Sequence, residues 1–412
     1  MSISPSFAVD TVKKPSMPIS KGNTLYVGGS GGGNYTTIQD AIDNASDGDT
    51  VFVFNGTYHE NIEVDKSINL IGEDKKWTVI DGINNLGDVV FITANSVNIS
   101  GFSIKHSGYG ERDAGIKIQS KNNKVFGNIH SGNEVCIYVE SSIGNNISSN
   151  ELMVRDYGII LNGSEANNIY NNYIRMIPKR DSGIGLFSSS NNNIVSRNTI
   201  VNGGGGIIID GDNNDINNNI MLNIFSSCVI ISGNNNLIYK NNISAIYDGI
   251  NIVRGSKNNN VYENDIKSIQ CGVDLIGVKK NNIHRNNIIG CIRGVNLRGA
   301  KNNNIHRNNI IECNDGLFYS EYSFRNRIYE NNFIDNINHG NFIIYRIEIP
   351  LIILLRNKWD RNYWGEPLSS PKVIKGWIVR SYVHYPWYTK LYPGYQFDWN
   401  PAKEPYNIEG VI

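Results

Sequence analysis

The chain is 412 residues long and carries 38 Lys+Arg against 38 Asp+Glu, a formal charge of zero. That balance excludes the broad basic field by which a domain holds nucleic acid, and with no run of eighteen apolar residues a helical membrane span is excluded as well. The five cysteines (Cys136, Cys228, Cys271, Cys291 and Cys313) form no CxxC pair and are odd in number, which excludes a zinc site of the usual spacing and a complete set of internal disulfides.

Residues 1–33 read as an N-terminal extension, and Met1 to Lys14 lack the apolar stretch of a secretory leader. Tyr35 to Ala45, YTTIQDAIDNA, place Ile38, Ala41, Ile42 and Ala45 on one helical face. The segment 34–49 is therefore expected to be a short amphipathic helix that caps one end of the molecule. Residues 50–336 follow as one repetitive body, less regular at first. From residue 122 to 334 the motif Asn-Asn-(Ile/Val)-x-x-Asn-x-(Ile/Leu) recurs, with its later Asn at 128, 150, 172, 198, 219, 241, 264, 286, 308 and 331. A second column of Gly followed by apolar-x-apolar keeps the same beat at Gly115, Gly158, Gly183, Gly206, Gly249, Gly272, Gly294 and Gly316. Cys136 and Cys228 fill its gaps. After Asn336 the beat is lost, and 337–412 is rich in Trp, Tyr and Pro. It is expected to be an irregular cap whose rings cover the last coil.

Short apolar alternations separated by Asn, Gly and Ser are strands joined by turns. A unit of about 22 residues with three short strands cannot bury its inner face alone, but stacked copies can. The fold class is thus all-β, a right-handed parallel β-helix of about a dozen coils. At roughly 4.7–4.9 Å per coil it forms a rod of roughly 50–60 Å. The Asn column suits a corner with left-handed backbone angles and can pass amide hydrogen bonds from coil to coil. These asparagines (Asn128, Asn150, Asn172, Asn198, Asn219, Asn241, Asn264, Asn286, Asn308 and Asn331) are expected to be structural. The Gly column is expected at a second corner with the same conformational demand.

The opening YTTIQDAID…GDTVFVFNGTYHENI…SINLIGE…TVIDG resembles the pectin-lyase-like superfamily of parallel β-helix proteins. The repeats and the segment Asn357 to Trp364, NKWDRNYW, are similar to the NosD-like group. The resemblance covers nearly the whole chain. It implies an exported protein, secreted, periplasmic or at the cell surface, whose leader is missing from this sequence or was removed. It also implies either a module that binds carbohydrate or an envelope partner, or a polysaccharide-active lyase, esterase or hydrolase. A third role it implies is copper handling in the periplasm. Calcium and copper are the ions that go with these roles.

Each of those chemistries demands particular side chains. A glycoside hydrolase needs two placed carboxylates and a methylesterase a nucleophilic Asp. The outward positions of the Gly-column strand, second and fourth after Gly, read as mostly apolar in the middle of the rod. The best polar group lies on the loops before it, His106 to Ala114 and Ile177 to Ser182, with Arg155 and Asp156 between them. There Tyr109, Arg112, Arg155 and Arg180 are candidates to hold a sugar, with Asp113, Asp156 and Asp181 as acid or base. A second candidate surface is the file Tyr239, Tyr262, His284, His306 and Tyr329. It could stack sugar rings, and its His pair could hold a metal. Arg285 beside Arg307 is unfavourable there, with Glu263 and Glu330 placed to relieve it. Cys291 and Cys313 share one repeat position and are expected as small core residues.

Overall fold

The computed structural model describes residues 22–177, 182–253, 255–320, 322–345, 356–382 and 385–408. One winding gives the plan of the whole. Asn282–His284 turns through Arg285 and Asn286 into Asn287–Ile289, which turns again into Arg293–Arg298. Each strand pairs in parallel with its equivalents one winding before and after. Ile283 lies between Val261 and Ile305, Ile288 between Ile266 and Ile310, and Val295 between Val273 and Leu317. We call the three resulting stacks the short ladder, the middle ladder and the long ladder, in that order. The nine residues just named are all fully buried. Each stacked Ile, Val or Leu of this kind contributes about 1.5–3 kcal/mol by leaving water, which is why the inner positions repeat and the outer ones drift.

The rod has about fourteen windings, slightly more than the dozen expected. The extra ones are irregular in sequence but join the same ladders. Thr24–Val27 pairs with Thr50–Val53 and that strand with Asn69–Gly72, while Lys358–Asp360 extends the short ladder at the far end. The helix is shorter than expected, Ile38–Asn44, with Ile38, Ala41 and Ile42 buried over the first winding. Thr37 caps it, and the Glu60 carboxylate accepts the Ile38 and Gln39 amides at 2.8 and 3.0 Å, so its first turn is satisfied from the body of the rod.

Both corner assignments need correction. The stacked Asn is not left-handed; the residue before it is, as at Asn171, Lys240, Glu263, Arg285, Arg307 and Glu330, with φ of 52–56°. That residue makes the turn and points outward, so its side chain is free to vary. The Asn itself is buried with its amide along the rod axis. Asn286 Oδ1 accepts the Asn264 backbone and side-chain amides at 3.1 and 2.9 Å, and its Nδ2 donates to Asn308 Oδ1 at 3.0 Å. A second buried file, Asn259, Asn281, Asn303 and Asn326, does the same at the other end of the short ladder. The column glycines are not left-handed either. A Cβ on Gly272 would sit 2.3 Å from Ile288 Cγ2 and 2.6 Å from the Gly294 carbonyl oxygen. Space, not backbone angle, excludes a side chain there.

The C-terminal region is strand rather than irregular. Asn338–Tyr345 continues the long ladder, and Lys372–Tyr382 and Tyr385–Asp398 form an antiparallel hairpin against it. Trp359 and Trp364 are buried, the latter stacked on Phe333 at 4.8 Å, whereas Trp377, Tyr395 and Trp399 are exposed. The side chains of Tyr385, Trp387 and Tyr388 lie outside the described residues. Asp398 terminates the asparagine file: its fully buried carboxylate accepts the Asn362 backbone and side-chain amides at 2.9 and 3.0 Å.

Candidate functional site

Outward side chains of the long ladder form a surface distinct from the core. Near its start, Ala114, Val135, Tyr138 and Ile160 make a small apolar cluster of their own, bordered by Tyr157 and Phe187. The loop from His106 to Asp113 flanks this cluster. Asp113 Oδ2 accepts the Gly110 amide at 2.9 Å and thereby shapes the loop. The Arg155 guanidinium lies 4.6 Å from the centre of the Tyr109 ring, and its Nε is 3.6 Å from Glu134. Arg112 reaches Glu140 at 3.5 Å, and Glu140 also accepts from Gln119 at 2.6 Å and from the Tyr138 hydroxyl at 3.4 Å. Lys117 sits between Glu140 and Asp88, at 3.8 and 3.7 Å.

The structure therefore brings Tyr109, Arg112, Asp113, Arg155 and Asp156 to one rim. Burial, then Asp156 and Asp113 nearby, raises the Glu134 carboxyl against the pull of Arg155. Burial and then Glu111 raise the Asp156 carboxyl. Glu134 was not among the sequence candidates; its signal was only its place two residues before a column position. Arg180 and Asp181, with Lys179, lie outside the described residues.

A second polar group lies further along the same face. Asp274 is in register with Asn251 on one side and Asn296 on the other. Its carboxylate accepts the Asn296 amide at 2.9 Å and is ion-paired with Arg298. Asp248 and Cys271 are stacked at the strand start, and the possible ligand atoms of Asp248, Cys271 and Asp274 lie within 4.8 Å of one another. All three residues are buried. Burial first, and then the charge of Asp274, raises the Asp248 carboxyl to about 6. Four buried polar atoms here lack a partner: Oδ1 of Asn251 and Asn296, and Nε of Arg293 and Arg298. The apolar expectation concerned the middle of the rod; here Asn251, Asp274, Asn296 and Arg298 are the outward positions that strand alternation assigns. Asp248 and Cys271 add to this polarity from the position just before each Gly, which the alternation rule did not count because a local irregularity turns the Gly inward.

The aromatic file is present and regular. Tyr239, Tyr262, His284, His306 and Tyr329 stack at 4.7–5.2 Å with their planes within 7° of parallel. Each inner ring has both faces covered by its neighbours, so the file offers edges rather than the open faces on which a sugar stacks. His284 and His306 direct Nε2 to Oδ1 of Asn260 and Asn282 at 2.9 and 3.0 Å. Burial holds both imidazoles down, at about 4. Parallel rings with one nitrogen engaged do not converge on an ion. Glu263 does bridge Lys240 and Arg285, and Glu330 bridges Arg307 and Arg361.

All five cysteines are buried with free thiols. Cys291 and Cys313 turn their sulfurs to the carbonyls of Ile289 and Ile311, at 3.5 and 3.4 Å. Among the described residues no helix is long and apolar enough to cross a membrane.

Among solved structures, the tailspike protein of E. coli bacteriophage HK620 in complex with a pentasaccharide superposes with a TM-score of 0.57 at 11% identity. The match covers 84% of this chain and 79% of that one. The catalytic domain of a GH87 alpha-1,3-glucanase in complex with nigerose gives a TM-score of 0.44 at 15% identity, over 86% and 67% of the two chains. The tailspike likeness shows the parallel β-helix fold. No curated protein matches. The family model for the periplasmic copper-binding protein NosD matches residues 42–230 and 228–342. Copper in a soft site takes Met, Cys and His together. The three-residue group Asp248, Cys271 and Asp274 has neither His nor Met, and His284 and His306 do not converge, so the described residues do not fit that ion. By the extent of the model match, the chain belongs to the NosD family of parallel β-helix proteins.

Proposed function

We propose that this protein is an exported surface or envelope module that binds a saccharide along the outer face of its long ladder. The observation that carries the reading is the rim: Tyr109, 60% exposed, lies under Arg155 beside the Arg112–Glu140 pair. An aromatic ring with forked cations and carboxylates at its edge matches the apolar face and hydroxyl edge of a sugar. The tailspike fold, solved with a pentasaccharide bound, supports a glycan role for rods of this shape.

Binding rather than turnover is favoured by the Asp248–Asp274 pair. Both carboxylates are about 1% exposed, and Asp274 is engaged by Arg298 and Asn296, which leaves no place for a glycosidic oxygen between them. The test is a glycan array and cell-wall pull-down with wild type and the Tyr109→Ala/Arg112→Ala double variant. We expect enrichment of a defined set of sugars and a loss of about tenfold or more in the variant, the effect of removing one stacking contact and one charged hydrogen bond. No enrichment over a heat-denatured control, or equal enrichment by the variant, would refute this reading. An enzyme using Asp156 at the same rim would instead release reducing ends from a polysaccharide panel, and that release would stop in Asp156→Asn.

A further inference from the structure

Charge is distributed unevenly along the corner where the chain enters the short ladder. In an earlier winding this corner carries Lys121 and Lys124, and in the middle windings it carries Glu165, Asp212 and Asp215. In the last five windings it turns basic. Lys257, Lys279 and Lys301 bridge to one another in consecutive windings, about 4.8 Å apart. Beside them the left-handed position holds Lys280 and Arg325, and Arg325 donates its amide to the Arg356 carbonyl at 3.3 Å. On the strand itself Arg327 is in register with Lys358.

None of these cations lies within ion-pair distance of an acid among the described residues. The opposite corner of the same strands makes the contrast: there Glu263 and Glu330 each bridge two cations. Like charges stacked across a ladder are destabilising. One corner thus neutralises its cations with acids, whereas the other leaves them without acids, two of them resting on aromatic rings.

The basic stripe runs into a cavity of about 410 Å³ at the end of the rod, lined in part by Arg356, Lys358, Asp360, Trp399 and Asn400. Trp399 is 66% exposed and is stacked on Phe397 at 5.0 Å, so one ring face is supported. Asn400 Nδ2 donates to Asp360 Oδ1 at 3.3 Å, and these two groups together can both donate to and accept from hydroxyls. A volume of this size holds one or two sugar rings.

We propose that this stripe and its terminal cavity bind an acidic polysaccharide, a pyranose chain bearing carboxylate or sulfate, laid along the rod axis with one ring on Trp399. A single-stranded nucleic acid would call for successive open stacking faces. Here Phe324 and Tyr329 are covered by Lys301 and Arg327, and a carboxylate stands in the cavity. This surface is separate from the long-ladder rim and does not depend on the reading given for it.

The experiment compares wild type with two variants, Lys279→Gln/Lys280→Gln/Arg356→Gln/Lys358→Gln and Trp399→Ala. Binding is measured to polygalacturonate, dextran sulfate, neutral dextran, single-stranded DNA and anionic lipid vesicles at 50 and 300 mM salt. All five positions are exposed, so thermal unfolding should be unchanged and serves as the folding control. We expect wild type to bind one or both acidic glycans and not dextran, with affinity falling as salt rises. The quadruple variant should lose about tenfold or more, Trp399→Ala a smaller factor, and the exposed Lys267→Ala, away from this corner, nothing. Failure to bind either acidic glycan, undiminished binding by the quadruple variant, or preference for DNA or vesicles over both glycans would overturn the proposal. Preference for polygalacturonate or for dextran sulfate tells carboxylate from sulfate.

Discussion

Replacing Asn286 by alanine asks whether the asparagine files hold the windings together. Asn286 is fully buried. Its Oδ1 is the acceptor for the Asn264 backbone N–H at 3.1 Å, and its Nδ2 donates to the Val261 carbonyl at 3.0 Å and the His284 carbonyl at 3.1 Å. Alanine leaves the Asn264 N–H with no acceptor, because that amide lies where the chain turns and has no ladder partner. The Asn264 side chain keeps its bonds to the Ile238 and Tyr262 carbonyls, and Asn308 Oδ1 keeps the backbone N–H of residue 286. One orphaned buried donor and weakened satisfaction of two carbonyls, at about 1–3 kcal/mol for a buried group left unpaired, give a cost of about 2–5 kcal/mol. Because each winding touches only its neighbours, the loss falls on the junction between three windings. Urea unfolding followed by circular dichroism should show a transition that moves to lower urea or splits in two. The exposed Lys267→Ala, one turn away, should stay within about 0.5 kcal/mol of wild type. If Asn286→Ala also stays within that margin, the files are a by-product of stacking and the reasoning fails.

Two other outcomes follow from the same geometry. The raised Asp248 carboxyl, about 6 when folded against about 3.9 for a free Asp, binds its proton more tightly in the native state. It therefore weakens the fold above pH 6, and the penalty disappears as pH falls towards 4. Relative to Asp248→Asn, wild type should gain roughly 2–3 kcal/mol in thermal or urea stability between pH 7 and pH 4; a pH-independent difference would contradict it. In Gly272→Ala the added Cβ meets Ile288 Cγ2 at 2.3 Å and the Gly294 carbonyl at 2.6 Å. An overpacking cost of roughly 1–3 kcal/mol is expected, seen as a lower thermal midpoint, and an unchanged midpoint would show that the windings can separate locally.

The repeat was readable from residues alone because a solenoid brings like positions into contact. Asn286 meets Asn264 and Asn308 directly, so the three are kept alike. The same logic located the aromatic file. It failed where neighbours in space are not equivalent in the repeat. Asp398 closes the asparagine file from a hairpin 36 residues away from Asn362, and no period announces it. Asp248 and Cys271 were passed over because the Gly after each faces the core, which breaks the alternation that assigns sides to a strand.

Periodicity by itself thus determined the architecture, the buried files and the direction of the rod, since equal spacing in sequence becomes stacking in space. Only the tertiary structure decided which corner turns left-handed, whether ring faces or ring edges reach solvent, and which charges find a partner. Those properties depend on the angle at which each side chain leaves the wall of the rod and on what lies within a few ångströms of its tip, and neither is written in the spacing of residues.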